Sequence, residues 1–168
     1  MEHLFRSYLE LLQSILSNLS QLTKLVHRKI EVAQMDDLEA LDEILNEEQA
    51  LALAFRGLEQ KRLNLLRELD LSEVPLAQLS AHFPPEMEEA VRQTAAELME
   101  QYRTYHDGAQ TARGILEHNL REVDRVLAVL NERAERILCV NALQHHGGKH
   151  AVVERAVVVE RAVINGKQ

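Results

Sequence analysis

Apolar residues return every seven positions from Phe5 onward, and only a long amphipathic helix keeps positions so spaced on one side. One register holds Phe5, Leu12, Leu19, Val26 and Ala33, a second holds Tyr8, Ile15 and Leu22, and Leu9, Leu16 and Ile30 broaden the stripe. At ~3.6 residues per turn this is one helix of roughly nine turns, expected to stop near Gln34. Asp36 followed by Glu39 is a capping-box arrangement with Asp in place of Ser or Thr, so a second helix starts there. Leu38, Leu41, Leu45, Leu51, Phe55, Leu58, Leu65, Leu66 and Leu69 carry its stripe, which Glu48 and Arg62 interrupt and Gly57 weakens. So short a link between long helices requires an antiparallel hairpin.

Pro75, Pro84 and Pro85 break the pattern over residues 70–85 and leave room only for a short helix around residues 76–81. Pro85 suits the first turn of a third helix, whose stripe runs from Met87 through Val91, Leu98, Tyr105 and Leu116 to about Leu143. Asp107 and Gly108 are the expected place for a kink or a break, giving one bent helix or two consecutive ones. Past Leu143, residues 145–150 form a polar joint, and a tandem hexad over residues 153–164 follows the two-residue alternation of a strand better than a helical period. The expected fold is all-α, an elongated antiparallel helical bundle or coiled coil of three to four helices over residues 1–143, with a weakly structured Val-rich tail over residues 144–168.

Composition narrows the class further. Hydrophobic residues make up 46% of the chain while aromatics supply only 4%, so the core is aliphatic. The formal charge is −8, and residues 1–143 hold 15 basic against 25 acidic side chains, a surface that repels nucleic acid and anionic membranes. The N-terminal stretch lacks a leader pattern, and no run approaches the ~18 apolar residues that membrane insertion needs. The single cysteine, Cys139, excludes an intramolecular disulfide framework, so the expected compartment is cytoplasmic.

No catalytic residues emerge. His145, His146 and His150 read as a metal tract or as a solvated linker, and the absence of cysteine nearby favours the linker. No Glu stands three residues before a His, which removes the di-iron bundle pattern. Cys139 lies between Leu138 and Val140, where cysteine packs as a small apolar group. Walker, dinucleotide-binding and nucleophile-elbow motifs are missing, so neither a cofactor nor a metal is expected and the chain does not read as an enzyme. Asn119, inside the last apolar stripe, either fixes register or sits at its edge. The length of that stripe, together with the tail, exceeds what a minimal hairpin needs and points to binding of a helix in a groove.

The segments MDDLEALDEILNEEQAL (residues 35–51) and LEQKRLNLL (58–66) resemble the second helix of FlgN-type flagellar export chaperones, and LEHNLREVDRVL (116–127) resembles their final helix, with its Asn at Asn119. The similarity spans about residues 1–143. It implies a cytosolic chaperone that holds hook-filament junction proteins by their C-terminal helices, prevents early assembly and delivers them to the type III export apparatus. Export-gate proteins are implied partners too, although residues 145–148 stand here where members often carry Tyr and Gly. The client helix is then expected on the last helix through Leu116, Leu120, Val123, Leu127, Leu130, Ile137 and Leu138. The same stripes permit self-association, and a non-catalytic coiled-coil adaptor is the alternative reading.

Overall fold

The computed structural model describes residues 2–134, with side chains to residue 131. The expectations for Ile137, Leu138, Cys139, the histidine tract, the boundary at residue 143 and the tail therefore lie outside the described residues. Three long α-helices account for nearly all of the described chain: α1 (Glu2–Gln34), α2 (Leu38–Glu68) and α3 (Pro85–Ala134), with a 3-10 helix (Leu76–His82) before α3. They form a helical bundle, and no helix among the described residues is long and apolar enough to cross a membrane.

The C-terminal ends of α1 and α2 are each set by an aspartate in the left-handed region. Asp36 has φ 58° and Asp70 has φ 58°, a conformation that Asp tolerates better than most residues. In each case the next amide reaches back over the last turn, Asp37 N–H to Val32 O at 3.3 Å and Leu71 N–H to Leu66 O at 2.8 Å, closing the Schellman pattern. The N-cap of α2 differs by one residue from the expectation. Asp37, not Asp36, accepts the Ala40 amide on Oδ1 at 3.1 Å, because the left-handed backbone at Asp36 is spent on terminating α1.

The bundle comprises two compact units, one formed by Met1–Lys24 with Ala50–His106, the other by Leu25–Gln49 with the described part of Asp107–Gln168. In the first unit, Tyr8, Leu12, Ile15, Leu19 and Leu22 of α1 are almost wholly buried, together with Leu66, Leu79 and Val91. Each such aliphatic side chain contributes about 1.5–3 kcal/mol of transfer free energy. The connection before α3 is part of this core. Phe83 is buried and meets Phe5 at 4.7 Å and Tyr8 at 5.7 Å between ring centroids, tilted as aromatic pairs prefer. Arg62, one of the two polar interruptions of the α2 stripe, is held by Glu59 at 3.1 Å. Burial pushes the Tyr8 phenol above its ordinary range, and the nearby Arg62 guanidinium opposes that rise.

In the second unit, Ala33, Leu41, Leu45 and Leu116 form a buried cluster that Val32, Ile115 and Leu120 flank. Glu48, the other interruption, is answered from α1: Lys29 Nζ donates to both carboxylate oxygens at 2.8 and 2.7 Å, and both side chains are 0% exposed. Moving back along α1 from Ala33 to Lys29 moves forward along α2 from Leu41 and Leu45 to Glu48, which is the antiparallel course of the hairpin in this unit. α3 continues as one helix through Asp107 and Gly108, so of the two readings for this point the single long helix is the one observed and the pair of consecutive helices is not. Gly108 is there for proximity, since a Cβ at this position would meet Val26 Cγ1 at 3.0 Å.

Two predictions follow from this packing. Gly114 has open space around its missing Cβ, so Gly114→Ala raises stability by about 0.5–1 kcal/mol through helix propensity. Gly108→Ala gains measurably less against Val26, and thermal melts of the two variants decide; equal gains would show that α1 and α3 are not in close contact here. At the buried pair, Glu48→Ala costs about 3–5 kcal/mol by stranding the Lys29 ammonium, whereas joint Lys29→Met and Glu48→Leu returns stability to near the parent value. Urea unfolding measures both, and a single-variant loss under about 1 kcal/mol would mean that the pair is solvated.

Candidate functional site

The sequence places the binding residues on α3, and their burial changes in steps along it. Leu116 is 0% exposed inside the cluster with Ala33, Leu41 and Leu45, so it serves the core. Leu120 packs partly against the same cluster. Between them Asn119 donates from Nδ2 to Ala33 O at 2.9 Å. That carbonyl lies in the last turn of α1, where no helical amide remains to satisfy it, so the asparagine fixes the register of α3 against α1. Of the two readings open for this residue, the register role is the one observed.

Asp36, Asp37 and Leu38, the turn of the α1–α2 hairpin, line one small recess with Asn119. The hairpin therefore turns back at the level of Asn119, while α3 runs on to Ala134, about 22 Å further at ~1.5 Å per residue. On this extension Val123 is buried, Leu127 and Leu130 are half-buried, and Val126 and Val129 are 44% and 50% exposed. Heptad counting passes over Val126 and Val129, which lie beside the main stripe. The signal for them in the sequence is two β-branched apolar residues one turn apart on an otherwise charged flank. Ile137 and Leu138 lie outside the described residues.

The flank is charged but internally compensated in part: Arg125 pairs with Glu122 at 2.6 Å, and Arg113 with Glu117 at 2.8 Å. Exposed pairs of this kind contribute at most about 1 kcal/mol and leave the apolar strip as the dominant feature. Residues 36–48 add seven carboxylates and no basic side chain at the hairpin end. Among the described residues no group of three or more His, Cys, Asp or Glu is arranged to hold a metal ion. Grooves in the first unit bring Gln13, Ser17, Ser20 and Glu97 together in one place and Phe5, Leu9, Pro84 and Met87 in another. Neither groove contains a histidine, cysteine or lysine to act beside a carboxylate. What α3 offers chemically is an apolar helical strip, suited to a second amphipathic helix.

No curated protein and no solved structure matches the chain. A family model described as FlgN protein matches residues 1–141, which takes in α1, α2, the connection and all of the described α3. The chain belongs to the FlgN family.

Proposed function

We propose that the protein is a cytosolic flagellar export chaperone whose client is the helical C-terminal segment of hook-filament junction proteins, bound on the far end of α3. Membership of the FlgN family supports the chaperone role. The observation that carries the choice of site is the run of α3 past the hairpin turn, with Leu127 and Leu130 half-buried and Val126 and Val129 exposed. An apolar strip of this kind is completed by an amphipathic helix with anchors at three- and four-residue spacing. Leu116, Leu120 and Val123 then support the strip from below, and Ile137 and Leu138 would extend it along the chain.

Function by this route needs no turnover. Burying the client's assembly helix removes the surface through which it would polymerise, and handing it to the type III export apparatus releases it. Because the α1–α2 hairpin covers Leu116, the client does not need to open the bundle, and the ordering cost of binding falls mainly on the client helix.

Leu127→Asp should weaken binding of a client C-terminal helix peptide by at least about tenfold, since an unpaired carboxylate in an apolar contact costs several kcal/mol. Isothermal titration measures this, with circular dichroism confirming that the variant is folded. A folded variant with unchanged affinity places the client elsewhere. Raising the salt concentration should change the parent affinity only modestly, because apolar burial is not screened. A collapse of affinity with salt would assign the contact to the acidic surface instead.

A further inference from the structure

Within the first unit, the outward side of α2 carries a second stripe. Leu53, Arg56, Gln60, Leu63 and Arg67 recur at alternating three- and four-residue spacing, so they share one helix face, and all five are exposed. Leu53 is 71% exposed and Leu63 42%, and they stand about 15 Å apart along the axis at ~1.5 Å per residue. One exposed leucine is ordinary on a protein surface, whereas two in a single seam give another helix two places to anchor. Gly57 lies between them at the edge of this face, with nothing within 4 Å of where its Cβ would be. Glycine is a poor helix former, and the bare backbone it leaves here lets another chain approach closely.

The same stretch reverses the sign of the protein. Residues 53–67 hold four basic side chains and one acidic, in a chain of formal charge −8. The one carboxylate, Glu59, is taken by Arg62 at 3.1 Å. Arg56 and Lys61 have no ion-pair partner among the described residues, and Arg67 donates to the Asn64 amide oxygen at 3.1 Å. The leucines are thus interleaved with cations whose charge no neighbouring carboxylate on this face offsets.

We infer that this face is a docking surface for an acidic amphipathic helix of another protein. That helix carries two apolar residues about ten positions apart, to meet Leu53 and Leu63, and Asp or Glu on the same side, to meet Arg56 and Arg67. A second copy of the face fits poorly. Parallel pairing stacks Arg56 on Arg56, and antiparallel pairing about Gln60 sets Leu53 against Arg67 and Leu63 against Arg56, with like charge facing like. An anionic membrane surface is opposed by the negative charge of the chain as a whole. The contact differs from the client site proposed on α3 in resting on exposed cations, so it is sensitive to salt.

The probe is a synthetic helical peptide of alanine and glutamate with two leucines at the spacing of Leu53 and Leu63, labelled for fluorescence anisotropy against the full chain. Saturable binding is expected, weakening as salt is raised. Leu53→Ser, and Arg56→Glu joined with Arg67→Glu, should each reduce affinity at least about tenfold. Circular dichroism should show both variants folded, since these side chains are exposed. The Arg56→Glu, Arg67→Glu chain should in turn bind the same peptide with lysine in place of glutamate, and Leu127→Asp should leave binding of the original peptide unchanged. Absence of saturable binding, indifference to the α2 substitutions, no rescue by the lysine peptide, or loss of binding with Leu127→Asp would overturn the inference. So would a dimer of the parent chain that Leu53→Ser dissolves, which assigns the face to a second copy, or capture by phosphatidylserine vesicles that Arg56→Glu with Arg67→Glu abolishes, which assigns it to a membrane.

Discussion

The Lys29–Glu48 pair is the constraint on which the arrangement of the hairpin rests. Leucine stripes tolerate sliding, because displacing one helix by a heptad sets apolar residues against apolar residues again. A fully buried carboxylate does not. A slip of one heptad would set Lys29 opposite Leu41 or Phe55 and strand both charges, at a cost of several kcal/mol each. The loss of one or two leucine contacts is smaller, about 1.5–3 kcal/mol apiece. The pair adds little net stability over an apolar replacement, yet it discriminates among registers that the leucines leave nearly equal.

Once that register is fixed, the hairpin turn at residues 35–37 has a definite level, and α3 is tied to it. Asn119 takes the Ala33 carbonyl that the end of α1 leaves free, and Gly108 lets α3 approach Val26 closely. Leu116 is thereby enclosed, while the helix beyond Val123 continues past the turn. The division of one continuous apolar stripe into an enclosed part and a more exposed part is thus set by where its partner helices end, and not by any change in the stripe itself.

That division also explains what was legible in the sequence. The three helices, the end of α1 at Gln34, the short helix near residue 76 and the start of α3 at Pro85 follow from periodicity, capping and proline chemistry, all local in the chain. The positions that depend on a neighbour did not follow. Gly108 reads as a kink or break until Val26 is beside it, Asp36 reads as a cap until its left-handed backbone assigns that role to Asp37, and Phe83 lies between the short helix and two prolines, where no periodic stripe marks it as core. Along α3 the sequence gave no means to separate the enclosed Leu116 from the half-buried Leu127, since both belong to one stripe. The interruptions at Glu48 and Arg62 were visible, and their partners Lys29, Glu59 and Tyr8 needed the structure.

The central claim, that the α3 extension receives a client helix while the hairpin remains closed, is tested most directly by hydrogen–deuterium exchange with and without a hook-filament junction C-terminal helix peptide. Exchange at residues 120–131 should slow on binding, while the hairpin segments at residues 33–45 stay as protected as in the free chain. Unchanged exchange at residues 120–131, or faster exchange at residues 33–45 as the hairpin gives way around Leu116, would contradict the account.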